Sequence, residues 1–365
     1  MKVAFFTGIR RLEIREAPKP VLERPGEVML RVDTVGVCGS DVHYYTAGRI
    51  GDQVVEYPAT LGHECAATVT EIGSEVTTLQ VGQRVAVDPA ISCGRCDQCR
   101  QGRPHTCRNL LFLGGPGQAP GAAAEYMTID SRCCYPIPDS MTMVQAALVE
   151  PLSVGVYAQR LAQMQPGGRA AILGSGPIGL SALMAIRAVC PCRTYVTDLL
   201  ENRLDLARQY GADWTGVPTR QDVVGAILER EPEGLDWVFE CAGQQECLDQ
   251  AVELLRPGGT LVMVGIPERD RVGFQVDAFR RKELRVQNVR RQNGCTAPAI
   301  DFVAKGTIDV DPLATHHFPL ERAKEAFDLV ADYADGVVKA IVHLWSEPRR
   351  SGAGHFSTSS SDFSM

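Results

Sequence analysis

The amino-acid sequence predicts a fold of the α/β plus β class, divided between two domains. Residues 1 to about 145 contain short β-like runs broken by Gly and Pro, such as VAFF, EVMLRVDTVGV, ECAATVTEIG and GQRVAVDP, a pattern typical of an all-β or barrel-like unit. From Pro151 onward, strands and helices alternate at a spacing that indicates a parallel sheet covered on both faces. After about Glu283 the chain returns to extended segments and one amphipathic helix, ERAKEAFDLVA.

The length and charge of the chain limit the classes of protein to consider. A chain of 365 residues can bury the cores of two domains. The net charge is −7 and the arginines are scattered, so we expect no nucleic-acid partner. We also expect a cytoplasmic protein with no membrane partner, because the chain lacks a signal peptide and any apolar run near the roughly 18 residues that span a bilayer. Residues 347–365, rich in Ser and Gly, are predicted to form a disordered tail.

A glycine-rich segment between a predicted strand and a predicted helix indicates a dinucleotide site. The segment GSGPIG, Gly174 to Gly179, fits the pattern G-x-G-x-x-G. Its glycines allow a tight turn and a close approach to a pyrophosphate, and the following helix offers N–H groups to the phosphates. Asp198 ends the next predicted strand, where a carboxylate accepts hydrogen bonds from a ribose and repels a 2′-phosphate. We therefore expect NAD as the cofactor, although Asp198 could also cap a helix that begins at Leu199.

Four of the thirteen cysteines lie close together in the segment CGRCDQCRQGRPHTC, which we term the four-cysteine lobe (residues 93–107). Cys93, Cys96, Cys99 and Cys107 have the spacing C-x2-C-x2-C-x7-C. In a reducing compartment this spacing favours a closed, tetrahedral Zn–S4 site. An iron–sulfur cluster and four unbound thiols are the alternatives.

A second metal site, with an open position, is indicated by Cys38 in GVCGSDVH and by His63 and Glu64 in LGHE. A catalytic zinc is bound by such nitrogen, sulfur and oxygen ligands and keeps one position free. Glu150, in VEPLSVG, stands where the β unit ends and the α/β unit begins, and a cleft is expected at such a junction. The spacing alone leaves open a second role for His63, that of a hydrogen-bonded core histidine.

At these residues the chain resembles the zinc-dependent medium-chain dehydrogenases, and within them the sorbitol and xylitol (polyol) dehydrogenases. The matching segments, spread over about residues 1 to 345, are GVCGSDVHYYTAGRIG, PATLGHE, VGQRVAVDP, CGRCDQC, EPLSVG, GSGPIG, RPGGTLVMVG and HHFPLERAKEAFD. The resemblance implies a GroES-like catalytic domain, residues 1–149 and 286–346, and an inserted Rossmann NAD-binding domain, residues 150–285. It also implies zinc- and NAD-dependent oxidation of a sugar alcohol to the ketose by a homo-oligomer, either a tetramer or a dimer.

The resemblance further implies a role for individual residues. Cys38, His63 and Glu64 would hold a catalytic zinc, and Glu150 would contact the zinc-bound water or the substrate. Ser40 and His43 would relay the alcohol proton to solvent, while Tyr44 and Arg290 would hold the polyol hydroxyls. The residues expected to contact the cofactor are Gly174, Gly176, Ile178, Gly179, Asp198, Arg203, Val264, Gly265, Ile266, Asn288, Val289 and Arg290. The ligands of a second, structural zinc would be Cys93, Cys96, Cys99 and Cys107.

Three departures from the family pattern bear on the substrate and the lobe. Arg291 follows Arg290 where many polyol dehydrogenases have Arg-Tyr, so a cation replaces a substrate-facing phenol and a sugar acid becomes an alternative substrate. The segment LFLGGPGQAPGAAAEY is a shifted form of another pocket segment, with Phe112 as a candidate wall residue. Animal sorbitol dehydrogenases have largely lost the four-cysteine lobe, which indicates that the lobe is structural. A threonine 3-dehydrogenase-like enzyme and a non-catalytic NAD-binding relative are the remaining alternatives.

Overall fold

The N-terminal part of the chain is mainly β-structure, as its Gly- and Pro-broken runs predict. The structure is a computed structural model that describes residues 1–267 and 271–345, so the predicted tail lies outside the described residues. The strands of this part are β1 (Lys2–Gly8), β2 (Arg11–Glu16), β3 (Glu27–Gly36), β4 (Arg49–Ile50), β5 (Gln53–Val54), β6 (Glu64–Ile72), β7 (Arg84–Val87), β8 (Ala90–Ile91), β9 (Leu111–Phe112), β10 (Tyr126–Asp130) and β11 (Cys134–Pro136). Two helices interrupt them, α1 (Gly39–Ala47) and α2 (Asp97–Arg100).

The middle part of the chain is a parallel sheet with helices between its strands. Its helices are α3 (Met143–Leu161), α4 (Pro177–Val189), α5 (Glu201–Gln209), α6 (Val223–Arg230), α7 (Gln245–Leu254) and α8 (Val276–Arg281). Its strands are β12 (Arg169–Leu173), β13 (Arg193–Thr197), β14 (Trp214–Gly216), β15 (Leu235–Glu240), β16 (Leu255–Met263) and β17 (Arg285–Asn288). The sheet order is β14-β13-β12-β15-β16-β17, with every neighbouring pair parallel. The order reverses between β12 and β15, and dinucleotides bind outside the carboxyl ends of the strands at such a switch point.

The C-terminal part returns to the first sheet and completes it. It contains α9 (Thr296–Ala304), β18 (Ala314–Pro319), α10 (Ala323–Ala331) and β19 (Lys339–His343). The completed sheet has seven strands in the order β11-β7-β6-β3-β19-β18, with β10 also paired to β3. One apolar core lies in this sheet domain, and two further cores pack on the strands of the parallel sheet. A chain that leaves a sheet and returns to it encloses the parallel sheet as an insertion.

One helix and one strand span the domain boundaries that the sequence predicts. The expected boundary after residue 149 falls within α3, and the one after residue 285 falls within β17. Thr142 caps α3 by accepting a hydrogen bond from the Gln145 N–H, and Gln145 bonds back to the Thr142 N–H. Because α3 packs against both β6 and α4, it joins the two sheets and holds Glu150 at their junction.

Candidate active site

Cys38, His63 and Glu64 come together at the ends of two neighbouring strands. Cys38 lies between β3 and α1, while His63 and Glu64 stand at the start of β6, which pairs with β3. One potential ligand atom from each of the three residues lies within 4.8 Å of the others. His63 and Glu64 are buried and Cys38 is partly exposed, so the group is open on one side. The three side chains predicted to hold the catalytic zinc are thus within reach of a single ion.

Asp41, in the first turn of α1, orients the imidazole of His63. Its carboxylate Oδ1 lies 3.3 Å from His63 Nδ1, and Asp41 is almost fully buried. A carboxylate on Nδ1 fixes the ring and leaves Nε2 free for a metal. Burial alone would lower the pKa of His63, but the charges of Asp41 and Cys38 raise it well above its ordinary value. The negative charges of Asp41 and Cys38 thus favour a cation at this position, and a metal ion would bind the imidazole in its neutral form.

A buried lysine, Lys339 at the start of β19, contacts the carboxylate of Glu64. Lys339 Nζ donates hydrogen bonds to both Glu64 carboxylate oxygens, at 2.7 and 2.6 Å, and to the Val37 carbonyl at 3.1 Å. Gly36 lies on the strand between them, and a side chain there would collide with the Glu64 carboxylate. A carboxylate has about four acceptor sites, so Glu64 can bind Lys339 and still offer a lone pair to a metal.

Three further predicted residues lie on the helices that border this group. Ser40 Oγ donates a hydrogen bond to Cys38 Sγ at 3.3 Å, which places the hydroxyl beside the metal-ligand group. His43 is partly exposed and follows Ser40 by three positions on α1, so the two side chains share a face of that helix. Glu150 lies on α3, and withdrawal from solvent raises the pKa of its carboxyl to about 7, with the Glu64 charge adding to the rise.

Arg291 and Phe112 form one wall beside His63. The Phe112 ring centroid is 5.0 Å from that of His63, and the guanidinium carbon of Arg291 is 3.8 Å from the Phe112 centroid. Arg290 is exposed, and Tyr44 is buried with its hydroxyl donating to Gln53 Oε1 at 2.9 Å. Phe112 thus lies next to His63, and its role as a wall of the substrate pocket stays a prediction.

The four-cysteine lobe has the geometry of a tetrahedral metal site. One sulfur of each of Cys93, Cys96, Cys99 and Cys107 lies within 4.8 Å of the others. The Cys96 Sγ–Cys99 Sγ distance is 3.5 Å and the Cys96 Sγ–Cys107 Sγ distance is 3.8 Å. A tetrahedral zinc with Zn–S bonds of about 2.3 Å separates its sulfurs by roughly 3.8 Å. The pKa of Cys93 is lowered to about 6 by hydrogen bonds from backbone N–H groups and from the Cys107 and Asn109 side chains. The lower pKa favours the thiolate, which is the form that a metal binds.

The glycine-rich loop lies at the carboxyl end of β12, where the sheet order reverses. Gly174 has a φ of +95°, and a side chain at Gly179 would collide with the Gly174 carbonyl oxygen, so both positions require glycine. Asp198, after β13, accepts hydrogen bonds from the Ser175 N–H at 2.7 Å and the Leu200 N–H at 2.9 Å. Helix α5 begins at Glu201, and its N-cap residue is Leu200. Asp198 therefore does not cap this helix, which was the alternative role considered for it from the sequence.

The remaining predicted cofactor residues lie along the same edge of the parallel sheet. Val264, Gly265 and Ile266 follow β16, and β17 ends at Asn288, followed by Val289 and Arg290. Hydrogen bonds from the Val264 and Gly265 N–H groups to the Glu240 carbonyl tie this edge to β15. Ile178 belongs to the glycine-rich segment itself and lies in the first turn of α4.

Two buried polar atoms beside the glycine loop have no protein partner among the described residues. They are Ser175 Oγ and Arg203 Nε. The Arg203 guanidinium also lies next to Gly176, where a Cβ would be 3.5 Å from its Nη1. Buried polar groups are normally hydrogen-bonded, so these two atoms suit the oxygens of a bound dinucleotide. The residues present therefore fit the cofactor expected from the sequence.

A different concavity, of about 820 Å³, opens at the opposite edge of the parallel sheet. Its charged side chains already pair with one another, as Arg193 and Arg169 do with Glu231, and Arg256 with Asp236. No metal-ligand group found in the described residues lies there. The concavity therefore lacks the ligand set that the cleft beside His63 has among the described residues.

Comparison with known proteins identifies the family. Residues 24–139 match the alcohol dehydrogenase GroES-like domain, and residues 177–305 match the zinc-binding dehydrogenase domain. Sorbitol dehydrogenase of Bacillus subtilis (strain 168) is 36% identical over 344 residues, covering 94% of this chain and 97% of that protein. Sorbitol dehydrogenase of Gallus gallus is 40% identical over 328 residues, covering 88% and 90%. An alcohol dehydrogenase (rspB) of Escherichia coli CFT073, solved with NADH, has a TM-score of 0.85 at 28% identity, covering 94% and 99%.

The chain belongs to the zinc-dependent medium-chain dehydrogenases, in the branch of the polyol dehydrogenases. It is therefore an enzyme with a GroES-like domain and a Rossmann-type parallel sheet, and zinc and a nicotinamide dinucleotide are the cofactors of this class. The predicted family, fold class and type of enzyme are confirmed. Within the described residues, no helix is long and apolar enough to cross a membrane.

Proposed function

We propose that this dehydrogenase oxidises a sugar alcohol at a secondary carbon beside a terminal hydroxymethyl group and releases the ketose. The observation that carries the proposal is the grouping of Cys38, His63 and Glu64, whose potential ligand atoms lie within 4.8 Å of one another and of which Cys38 is partly exposed. The two relatives named sorbitol dehydrogenase support the substrate class. The proposal assigns the catalytic zinc to these three residues and a structural zinc to the four-cysteine lobe.

The protein residues in this proposal orient the ligands and move a proton. Bound zinc would lower the pKa of the substrate hydroxyl, and bound NAD would accept the hydride. Asp41 holds the His63 ring so that Nε2 faces the metal position. Ser40 takes the hydroxyl proton, and His43, partly exposed on the same face of α1, passes it to solvent.

Substrate recognition depends on polar side chains around the same cleft. Glu150 hydrogen-bonds the substrate or a bound water, and Arg290 donates to hydroxyls further along the carbon chain. The Tyr44 hydroxyl donates to Gln53 and keeps its acceptor sites for a substrate hydroxyl. Such a site disfavours ethanol and similar alcohols, because polar groups without a matching hydroxyl would be left unpaired.

The proposal includes NAD rather than NADP as the cofactor. Asp198 presents a carboxylate at the end of β13, where it would repel a 2′-phosphate. Arg203, whose buried Nε has no partner in the described part of the chain, would contact the adenosine side of the dinucleotide. We also propose a cytosolic homo-oligomer, a tetramer or a dimer; the thirteen free cysteines support a reducing compartment.

The decisive experiment is NAD reduction by the purified protein across sorbitol, xylitol, threonine and ethanol. The proposal expects turnover of at least one polyol and little with ethanol. A Cys38→Ser variant with an unchanged circular dichroism spectrum should lose that turnover. Efficient oxidation of threonine with no reaction on any acyclic polyhydroxy compound would instead support the threonine 3-dehydrogenase-like alternative.

A further inference from the structure

Arg291 occupies an unusual backbone position in the loop after β17. Its φ is +55°, in the left-handed region that residues other than glycine seldom adopt. Such a conformation costs about 1 to 3 kcal/mol and persists only where the surrounding structure holds it. The loop thus keeps a strained conformation that turns this side chain towards the catalytic cleft.

The guanidinium of Arg291 is fixed by stacking rather than by ion pairs. Its carbon lies 3.8 Å from the centroid of Phe112, and the Phe112 ring in turn lies 5.0 Å from the centroid of His63. A guanidinium over an aromatic ring is held there by cation–π attraction and keeps its N–H donors for other partners. Through Phe112, Arg291 is thus placed on the same wall of the cleft as His63.

The protein leaves a buried donor of this guanidinium unsatisfied. Arg291 Nη1 is buried and without a hydrogen-bond partner, and within the described residues Arg291 forms no ion pair. The nearby Asp88 carboxylate is engaged instead by the Ala90 N–H and by Gln292. Burial and the neighbouring Arg290 charge lower the pKa of Arg291 to about 10, although the charges of Glu150 and Asp88 act in the opposite direction, so Arg291 remains protonated at neutral pH. The cleft thus contains a partly buried cation that no carboxylate in the described part of the chain contacts directly.

We propose that Arg291, assisted by Arg290, binds an anionic group at the end of the substrate. The preferred substrate is then an acyclic polyhydroxy chain that ends in a carboxylate or a phosphate monoester. This inference rests on the proposed function and narrows its substrate class. A neutral hydroxyl could accept one hydrogen bond from Arg291, but only an anion would also balance a desolvated charge, and charge-assisted hydrogen bonds are about twice as strong as neutral ones.

The experiment compares three substrates of equal chain length: sorbitol, the aldonate L-idonate, and sorbitol 6-phosphate. Steady-state kcat and KM are measured at saturating NAD for the wild type and for Arg291→Gln, which keeps a planar amide but removes the charge. We expect an anionic substrate to exceed sorbitol in kcat/KM by about tenfold or more in the wild type. Arg291→Gln should lower kcat/KM for that anion by about 30-fold, mainly through KM, and for sorbitol by less than about threefold.

Two controls separate recognition from folding. Arg291→Lys keeps the charge and should recover part of the preference for the anion. Arg285→Gln makes the same substitution at an exposed position at the other end of β17. It should leave kcat/KM unchanged for both the anionic substrate and sorbitol. Whichever anion is preferred, carboxylate or phosphate, identifies the end group. A wild type that prefers sorbitol, or equal losses on all three substrates in Arg291→Gln, overturns the inference; absence of turnover on all three contradicts the proposed function itself.

Discussion

The buried pair of Lys339 and Glu64 gives a sharp test of how the metal-ligand group is held together. We consider Lys339→Met, which keeps the length of the side chain and removes its charge. The two side chains are 2% and 1% exposed, so water cannot replace the lost partner. Lys339 Nζ donates three hydrogen bonds, two to Glu64 and one to the Val37 carbonyl, and all three are lost together.

The expected cost is large because one charge stays buried after the other is removed. Removing one partner of a buried ion pair typically destabilises a protein by about 3 to 5 kcal/mol. A bound zinc would supply positive charge near Glu64, so the loss should be greater in chelated protein than in zinc-loaded protein. In Lys339→Met combined with Glu64→Gln the uncompensated charge is gone, and the loss should be smaller than the sum of the two single losses.

The assay is urea unfolding of the wild type, the two single variants and the double variant, with EDTA and again with added zinc. Intrinsic fluorescence is a suitable signal, because Trp345 Nε1 donates to the Val32 carbonyl on β3, beside the strand of Lys339. A loss of less than about 1 kcal/mol for Lys339→Met in EDTA, which is the range of an exposed pair, would contradict a stabilising role of the buried charge pair. Additive losses in the double variant would contradict it as well.

Three further predictions concern the two metal sites and the cofactor. Active protein should contain two zincs per chain by metal analysis. Cys38→Ser should abolish turnover and leave the circular dichroism spectrum unchanged, whereas Cys96→Ser should chiefly lower the melting temperature. A loss of turnover without loss of stability in Cys96→Ser would contradict a structural role. Asp41→Asn should weaken zinc binding at the His63 site by about 10- to 100-fold, because the carboxylate that orients the imidazole is lost. Competition with a chelating dye measures this affinity. An unchanged affinity would mean that the 3.3 Å contact between Asp41 and His63 does not orient the ring. Asp198→Ala should raise kcat/KM with NADP relative to NAD, because a carboxylate no longer opposes the 2′-phosphate. Equal use of both cofactors by the wild type would show that Asp198 does not face the ribose.

The fold could be predicted because its signals are local. The run RAAIL followed by GSGPIG gives a strand, a tight turn and a helix within one short segment, and β12 and α4 form there. Helix α1 was not predicted, because its nine residues lie among short β-like runs and have almost no amphipathic pattern. That omission matters for the site, because α1 carries both Ser40 and His43.

The side chains that support the metal ligands could not be predicted, because their roles depend on contacts distant in sequence. Lys339 lies 275 residues from Glu64 and sits in an apolar strand segment, VVKAIV, where a lysine usually turns its charge to solvent. Asp41 stands inside the quoted motif GVCGSDVH, yet only the pairing of β3 with β6 brings it to His63. A motif supplies the ligands, and the tertiary structure supplies the groups that orient and neutralise them.

The loop after β17 connects the carboxyl edge of the parallel sheet, the Phe112 wall beside His63 and the four-cysteine lobe. Val289 N–H donates to the Met263 carbonyl at the carboxyl edge of the parallel sheet, and Arg291 stacks on Phe112 of β9. Asn293 Nδ2 then donates to the Gly102 carbonyl, inside the four-cysteine lobe, at 2.9 Å. The strained backbone of Arg291 is thus held from both sides, by the sheet that precedes it and by the lobe that follows it. The four-cysteine lobe thus anchors the far end of the loop that carries Arg290 and Arg291, because Asn293 in that loop is bonded to Gly102 in the lobe.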